Sequence, residues 1–159
     1  MSISLHHGDA LDVLAGRRAE AEAVVCDPPC GVSFMGLRFD TDHGGADQWV
    51  EHMAPRFAAM REACIPGAYG LFWALPRTQD WTMRALRLAG WHIVDVLSHV
   101  FGQGWPKGRG QLKPAQEAWI LCRDPRGKVR PLAIDACRVA RGAVQSSAGG
   151  VGGYGRAAD

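Results

Sequence analysis

The stretch AVVCDPPCGVSF, residues 23–34, breaks an apolar run with an acid, two prolines and a cysteine. A carboxylate just beyond a strand stands where open parallel sheets bind their ligands. Consecutive prolines, Pro28 and Pro29, fix the backbone there and remove two amide donors, which leaves neighbouring carbonyl oxygens without a local partner. Asp27 beside such carbonyls forms a cluster of acceptors, and an exocyclic amino group, with its two hydrogens, is the complementary donor.

Metal chemistry fits this stretch poorly. Cys26 and Cys30 form a C-x3-C interrupted by the prolines, no second pair matches it, and the six histidines do not complete a ligand set, so no metal is expected. Five cysteines at irregular spacing suit reduced thiols in a cytosolic domain better than a disulfide framework. His6 and His7 read as strand-end residues. The pattern GGVGGYG near residue 150 lacks a strand before it and a helix after it, so it does not read as a nucleotide loop.

Charge is divided along the chain. Residues 1–100 hold eight Lys/Arg and twelve Asp/Glu, whereas residues 101–142 hold nine and three. The basic segment is the candidate for contact with phosphates, the alternative being a solvated face with scattered charge. Within it, Trp105 lies between Gly104 and Pro106 as a loop aromatic placed to touch a ligand. Lys107 and Arg109 sit among glycines, as in phosphate-contacting loops. Lys113-Pro114 with Glu117 reads either as a rim that contacts nucleic acid or as a turn followed by a surface salt bridge. The tryptophans at 49, 81 and 91 read as core.

The elements that position these residues alternate between strand and helix. Residues 2–6 predict a first strand, and Asp9 predicts the cap of a helix through Leu11, Val13 and Leu14. Residues 23–26 predict a strand buried on both faces, and residues 31–45 a long loop. Trp49, Met53, Phe57, Met60 and Cys64 recur at steps of three and four, which lines one face of a helix that Pro55 should kink and Pro66-Gly67 should end. Residues 68–75 predict a buried strand, followed by a helix that Thr78 caps, that carries Trp81, Ala85 and Leu88, and that Gly90 ends. Residues 92–101 and 118–123 complete the set as an antiparallel edge hairpin. The expected class is therefore α/β, a mostly parallel sheet covered on both sides.

Length and composition set the frame. At 159 residues and 47% hydrophobic content the chain suits one core, taken as residues 1–141, with 142–159 a Gly/Ser/Ala-rich flexible tail. No apolar run is long enough to span a membrane, and the N-terminus lacks a secretory layout, so a cytoplasmic location is expected.

The residues VVCDPPCGVSFMGLRFD resemble the Asp-Pro-Pro-aromatic motif of the amino-group DNA methyltransferases that use S-adenosyl-L-methionine. PRTQDWTMRALRLAGWHIVDVLSHVFGQGWPKG, QLKPAQEAWILCRDP and LAIDACRV resemble further segments of the phage- and prophage-type enzymes in the same order, so collinear likeness covers about residues 5–141. The resemblance implies a Rossmann-like methyltransferase core, here partial, and methylation of DNA at adenine N6, with cytosine N4 second, as in restriction-modification. Asp27 and Pro28 would accept the amino hydrogens, and Pro29 and Cys30 would shape the pocket. HHGDALDVL resembles the segment near the cofactor's adenine end, which implies a cofactor role for Asp9 and Ala10. Double-stranded DNA with a flipped target base is the implied partner, approached by residues 107–130, with Trp105, Lys107, Arg109 and Lys113 as contacts.

Two departures stand out. Cys30 occupies the position of the stacking aromatic, for which Phe34, Phe39 or Trp105 could substitute. The glycine-rich Asp-Pro-Phe segment that holds the methionine part of the cofactor is missing. The chain is then expected to be a fragment, one subunit of a split enzyme whose second chain supplies the rest of the cofactor site, or a catalytically inactive DNA-binding remnant.

Overall fold

The computed structural model describes residues 3–102, 110, 112, 115–132 and 134. Trp105, Lys107, Arg109 and Lys113, and both the boundary at 141 and the tail beyond it, lie outside the described residues. Asp9 caps the first helix, α1 (Ala10–Leu14), with extended backbone and a side-chain oxygen accepting from the Leu11 amide at 2.9 Å. β1 (Ala21–Cys26) follows, then two short 3-10 turns, Phe34–Gly36 and Arg38–Asp40. The remaining elements are α2 (Ala46–Ala63), β2 (Cys64–Ala74), α3 (Gln79–Leu88), β3 (His92–Val100) and β4 (Gln116–Arg123).

The four strands lie in the order β1-β2-β4-β3. β1 runs parallel to β2, while β4 is antiparallel to both β2 and β3. The chain is thus α/β with the expected antiparallel hairpin of β3 and β4 at one edge. Because β4 enters between β2 and β3, one of the three pairings is parallel.

Only one face of the sheet is fully buried among the described residues. Phe72, Ala74, Ile120 and Cys122 lie in one cluster with Trp49, Val50, Met53 and Phe57 of α2 and Ala85 and Leu86 of α3. Phe72 makes edge contacts to Phe57 and Trp91, with ring centroids 5.2 and 5.4 Å apart, and the Trp91 indole donates to the Phe57 carbonyl at 2.9 Å. The alternate residues Leu71, Trp73, Trp119 and Leu121 are half-buried, and Val25 is 74% exposed. The expected burial of β1 on both faces is corrected accordingly: among the described residues β1 is an edge strand, with helices over one side of the sheet.

Other local expectations change for identifiable reasons. Residues 3–7 form no strand, and Ile3 and Leu5 are 88% and 94% exposed, because no described strand lies beside them to pair with. Helix α2 continues through Pro55, whose ring is exposed. Pro66-Gly67 does not terminate that helix; β2 begins at Cys64, and Gly67, at φ +81°, lets the Lys128 carbonyl approach so closely that a Cβ would sit 2.6 Å from it. Thr78 stands at the N-terminus of α3, but its hydroxyl is buried and makes no capping bond among the described residues. On that helix Thr82, Ala85 and Leu86 are buried, and Leu88 is 70% exposed. Gly90 ends it at φ +83°. No helix among the described residues is long and apolar enough to cross a membrane.

Candidate active site at the carboxyl end of β1

Strand β1 ends at Cys26, opposite Phe72 of β2, and hands the chain to Asp27. Asp27 is exposed, Pro28 is buried, and Pro29 and Cys30 are half-buried. Pro28 thus wedges the loop against the body of the protein while the acid beside it faces solvent. Among the described residues no hydrogen bond reaches the Asp27 carboxylate or the Pro28 carbonyl. Those oxygens are held in place yet remain uncommitted, which is the condition for binding an incoming donor.

What fixes the loop is a residue that sequence reasoning missed. Asp40 is 1% exposed, and its carboxylate accepts from the amides of Cys30 at 2.6 Å, Gly31 at 2.9 Å and Phe34 at 2.8 Å. Burial alone would raise its pKa, but amide bonds from Phe34, Gly31, Cys30 and Val32 outweigh that and hold the carboxyl below the usual range. A buried anion is thereby stabilised chiefly by backbone amides, with the Cys30 thiol beside it. The only sequence signal was the acid that ends the stretch GVSFMGLRFD, which by itself names no partner.

Gly31 supplies the second anchor. Its φ is +70°, and an added Cβ would lie 2.7 Å from the Trp49 ring and 3.1 Å from Trp81. Only glycine combines that backbone conformation with so close an approach. Trp49 is therefore a core residue, as expected, and with Trp81, half-buried against that core, it forms the floor on which the acceptor loop rests. The Trp49 indole nitrogen is buried without a hydrogen-bond partner among the described residues.

Cys26 and Cys30 flank the acceptor loop as neutral thiols. Burial, with Asp27 nearby, pushes the Cys26 thiol up to about 11; burial and Asp40 do the same for Cys30. Both stay protonated at neutral pH, so neither presents a thiolate. Cys26, Cys30, Cys64 and Cys122 are free, and the described residues contain no cluster of His, Cys, Asp and Glu with a metal-site arrangement.

Asp9 reaches the same helix from the other side. One of its oxygens accepts from Leu11, and the other pairs with the Arg56 guanidinium at 2.7 Å. These two bonds lower its pKa, the amide foremost. Arg56 follows Trp49 by two helical turns, so the two side chains share a face about 10 Å apart along the axis. Helix α2 is therefore the common platform for the two loops that sequence reasoning singled out. Between them His52 stacks on His43 at 3.8 Å, and burial first, then Arg56, lowers the His52 pKa. Ala10, beside Asp9, is half-buried.

Glu117 is half-buried on β4, while Lys113 and Pro114, read together with it, lie outside the described residues. Glu117 accepts from the Trp73 indole at 3.0 Å and lies 3.7 Å from His99 Nδ1. Because Trp73 follows the Phe72 that faces Cys26, this pair stands at the sheet end that carries Asp27. Sequence reasoning had not grouped Trp73 or His99 with it, since their strands meet only through the register.

No protein-family model matches the sequence, and no curated protein matches it. Solved structures do resemble the fold. TTHA0409 from Thermus thermophilus, assigned as a DNA modification methylase and solved with S-adenosyl-L-methionine, aligns with a TM-score of 0.58 at 19% identity, over 84% of this chain and 61% of that one. Its selenomethionine form gives 0.56 at 20% identity, over 84% and 58%. M1.HpyAVI in complex with SAM gives 0.53 at 13% identity, over 77% and 55%. The fold is thus a Rossmann-like α/β fold shared with these proteins, and the chain spans less than two thirds of their length.

Proposed function

We propose that this chain carries the amino-acceptor half of an S-adenosyl-L-methionine-dependent DNA methyltransferase, acting on adenine N6, with cytosine N4 as the second choice. The observation that carries the reading is Asp27: an exposed, uncommitted carboxylate at the carboxyl tip of β1, on a loop locked by Asp40 and by Gly31 against Trp49. The two solved neighbours named with the cofactor support the choice of methyl donor.

An aromatic amine is a weak nucleophile because its lone pair is delocalised into the ring. Asp27 and the Pro28 carbonyl would each accept one amino hydrogen, which turns the lone pair out of the ring plane. The Asp27 carboxylate would also take the surplus proton of the methylated amine and pass it to solvent. S-adenosyl-L-methionine supplies the electrophilic methyl when bound. The protein's task is placement and charge, with no covalent enzyme intermediate. The base must leave the duplex first, since its amino group is otherwise paired.

Of the described residues, Asp9 and Ala10 would hold one end of that cofactor. Asp9, capping α1, keeps free acceptor capacity for a hydroxyl or amino group at the adenine end, with Ala10 beside it. A cradle for the methionine end is absent among the described residues. A second polypeptide segment, from a longer form of this protein or from a partner chain, would supply it. The flank of β1 favours this: a groove of about 310 Å³ lined by Leu14, Ala21, Val24, Val25 and Met60 runs beside a strand that, among the described residues, is paired on one side only. Trp105, Lys107, Arg109 and Lys113 are proposed to contact DNA. The remnant reading draws on the thiol at position 30, which offers no stacking surface.

Incubation with isotopically labelled cofactor and genomic DNA, followed by nucleoside mass spectrometry, tests the proposal. N6-methyladenine should appear, and Asp27→Asn should slow its formation by about 100-fold or more, the scale seen when one preorganised polar group is removed. Methyl transfer that survives Asp27→Asn, or none even with the longer protein, defeats it.

A further inference from the structure

The turns between Ser33 and Asp40 expose more apolar surface than a turn of this size needs. Phe34, Met35, Leu37 and Phe39 are 61%, 82%, 42% and 67% exposed. Clustered exposed apolar residues mark a contact surface. This one is exposed by construction: Ser33 and Met35 hold φ of +51° and +53°, conformations costly for residues with side chains. The turn is closed by Ser33 N donating to Asp40 O at 2.7 Å and by Asp40 N donating to Leu37 O at 3.2 Å. Above all, the Asp40 carboxylate that holds Cys30 and Gly31 also holds the Phe34 amide, so one buried group sets the position of Phe34 against the Asp27 loop.

We infer that Phe34 is a stacking platform for the nucleobase delivered to Asp27, and that Asp40 is the positioning residue that holds it there. The adjoining half-buried Cys30 offers no flat ring, whereas Phe34 presents one from a fixed backbone. Phe39, on the same turn, lacks that direct amide tie. Arg38, exposed and without an acidic partner among the described residues, lies between them as a cation for the adjoining phosphate. Stacking is tolerant of base identity, so the contact is to the face of the base and its hydrogen-bonding edge is left to Asp27. That the base presented is adenine rests on the methyltransferase reading.

The test uses the whole protein without cofactor, a six-nucleotide oligo(dA) and a fully abasic oligomer with the same phosphates. Wild type should prefer oligo(dA). Phe34→Ala should weaken binding to oligo(dA) by about 5- to 150-fold and leave the abasic strand unchanged, with Phe34→Trp restoring the preference. Asp40→Asn should speed hydrogen exchange at the Phe34 amide and lower the same preference, while exchange in β2 and β4 stays as in wild type. Equal loss on both strands, no loss on either, or no binding by wild type overturns the inference. So does a change in self-association on Phe34→Ala at constant oligo(dA) affinity, which would assign the patch to a protein contact. Retained base preference without any methyl transfer would defeat the enzymatic reading alone.

Discussion

Two aspartates among the described residues are fully buried, at opposite ends of the sheet, and they are satisfied in different ways. Asp40, beyond the carboxyl end of β1, is held by backbone amides. Asp124, just after β4 and so at the other end of β2, is held largely by arginines: Arg126 Nε at 2.8 Å and Arg61 Nη1 at 3.4 Å. Glu62 extends the second group by accepting from both guanidiniums. Further bonds tie Arg126 to the Arg61 carbonyl and Arg61 to the Ala89 carbonyl. The Asp124 cluster therefore joins the ends of α2, α3 and β4 through long side chains. The Asp40 clasp joins nothing distant. It shapes one loop from within, leaving the Asp27 carboxylate and the Phe34 ring on its outward side without bonded or ring partners among the described residues. Ion pairs between elements serve cohesion, and a carboxylate ringed by its own backbone serves presentation.

The sharpest way to break this contrast is Asp124→Ala. It strands Arg126 and Arg61 in a partly buried setting, and removal of one member of such a pair costs about 3–5 kcal/mol. Urea midpoints should drop accordingly, and a change under about 1 kcal/mol would show that Glu62 alone satisfies both cations. Asp40→Asn comes next. It removes one acceptor oxygen from under a buried amide, at about 1–3 kcal/mol near neutral pH. Because the Asp40 pKa is depressed below its ordinary 3.8, its contribution is complete above that value and fades as pH falls through the lower, folded value. The gap between wild type and Asp40→Asn should therefore shrink on acidification below pH 3.8. A gap that is constant with pH would mean that the carboxylate's charge is not what the amides hold. The smallest effect belongs to Arg56→Ala. Its pair with Asp9 is 41% exposed on the acid's side, so the loss should be under about 1 kcal/mol, read in the same urea titration.

Much of this was legible in the chain before folding. The helix cap at Asp9, the apolar face of α2 and the alternation of strand and helix all follow from local spacing. So did the placement of Asp27 beyond a strand, because a Pro-Pro step leaves an acid at a strand end few other conformations. The edge position of β1 was not legible, since an apolar run reads the same in a central strand and at an edge. The strand predicted at residues 2–6 failed for a related reason: strand formation depends on a neighbour that local sequence does not reveal. Thr78 looked like a cap by residue type, yet its buried hydroxyl makes no such bond.

By itself the sequence determined which groups are chemically available: an acid, two prolines that withhold amide donors, and glycines that tolerate positive φ. Those are properties of single residues and their immediate neighbours, carried by covalent structure and backbone sterics. Only the tertiary structure decided how they are held. Asp40 meets amides up to ten residues away, Gly31 rests on rings from two helices, and Glu117 meets Trp73 because β4 inserts beside β2. The physical reason is that a buried charge and a close-packed ring need partners at fixed distances, and only the folded chain brings residues remote in sequence to those distances.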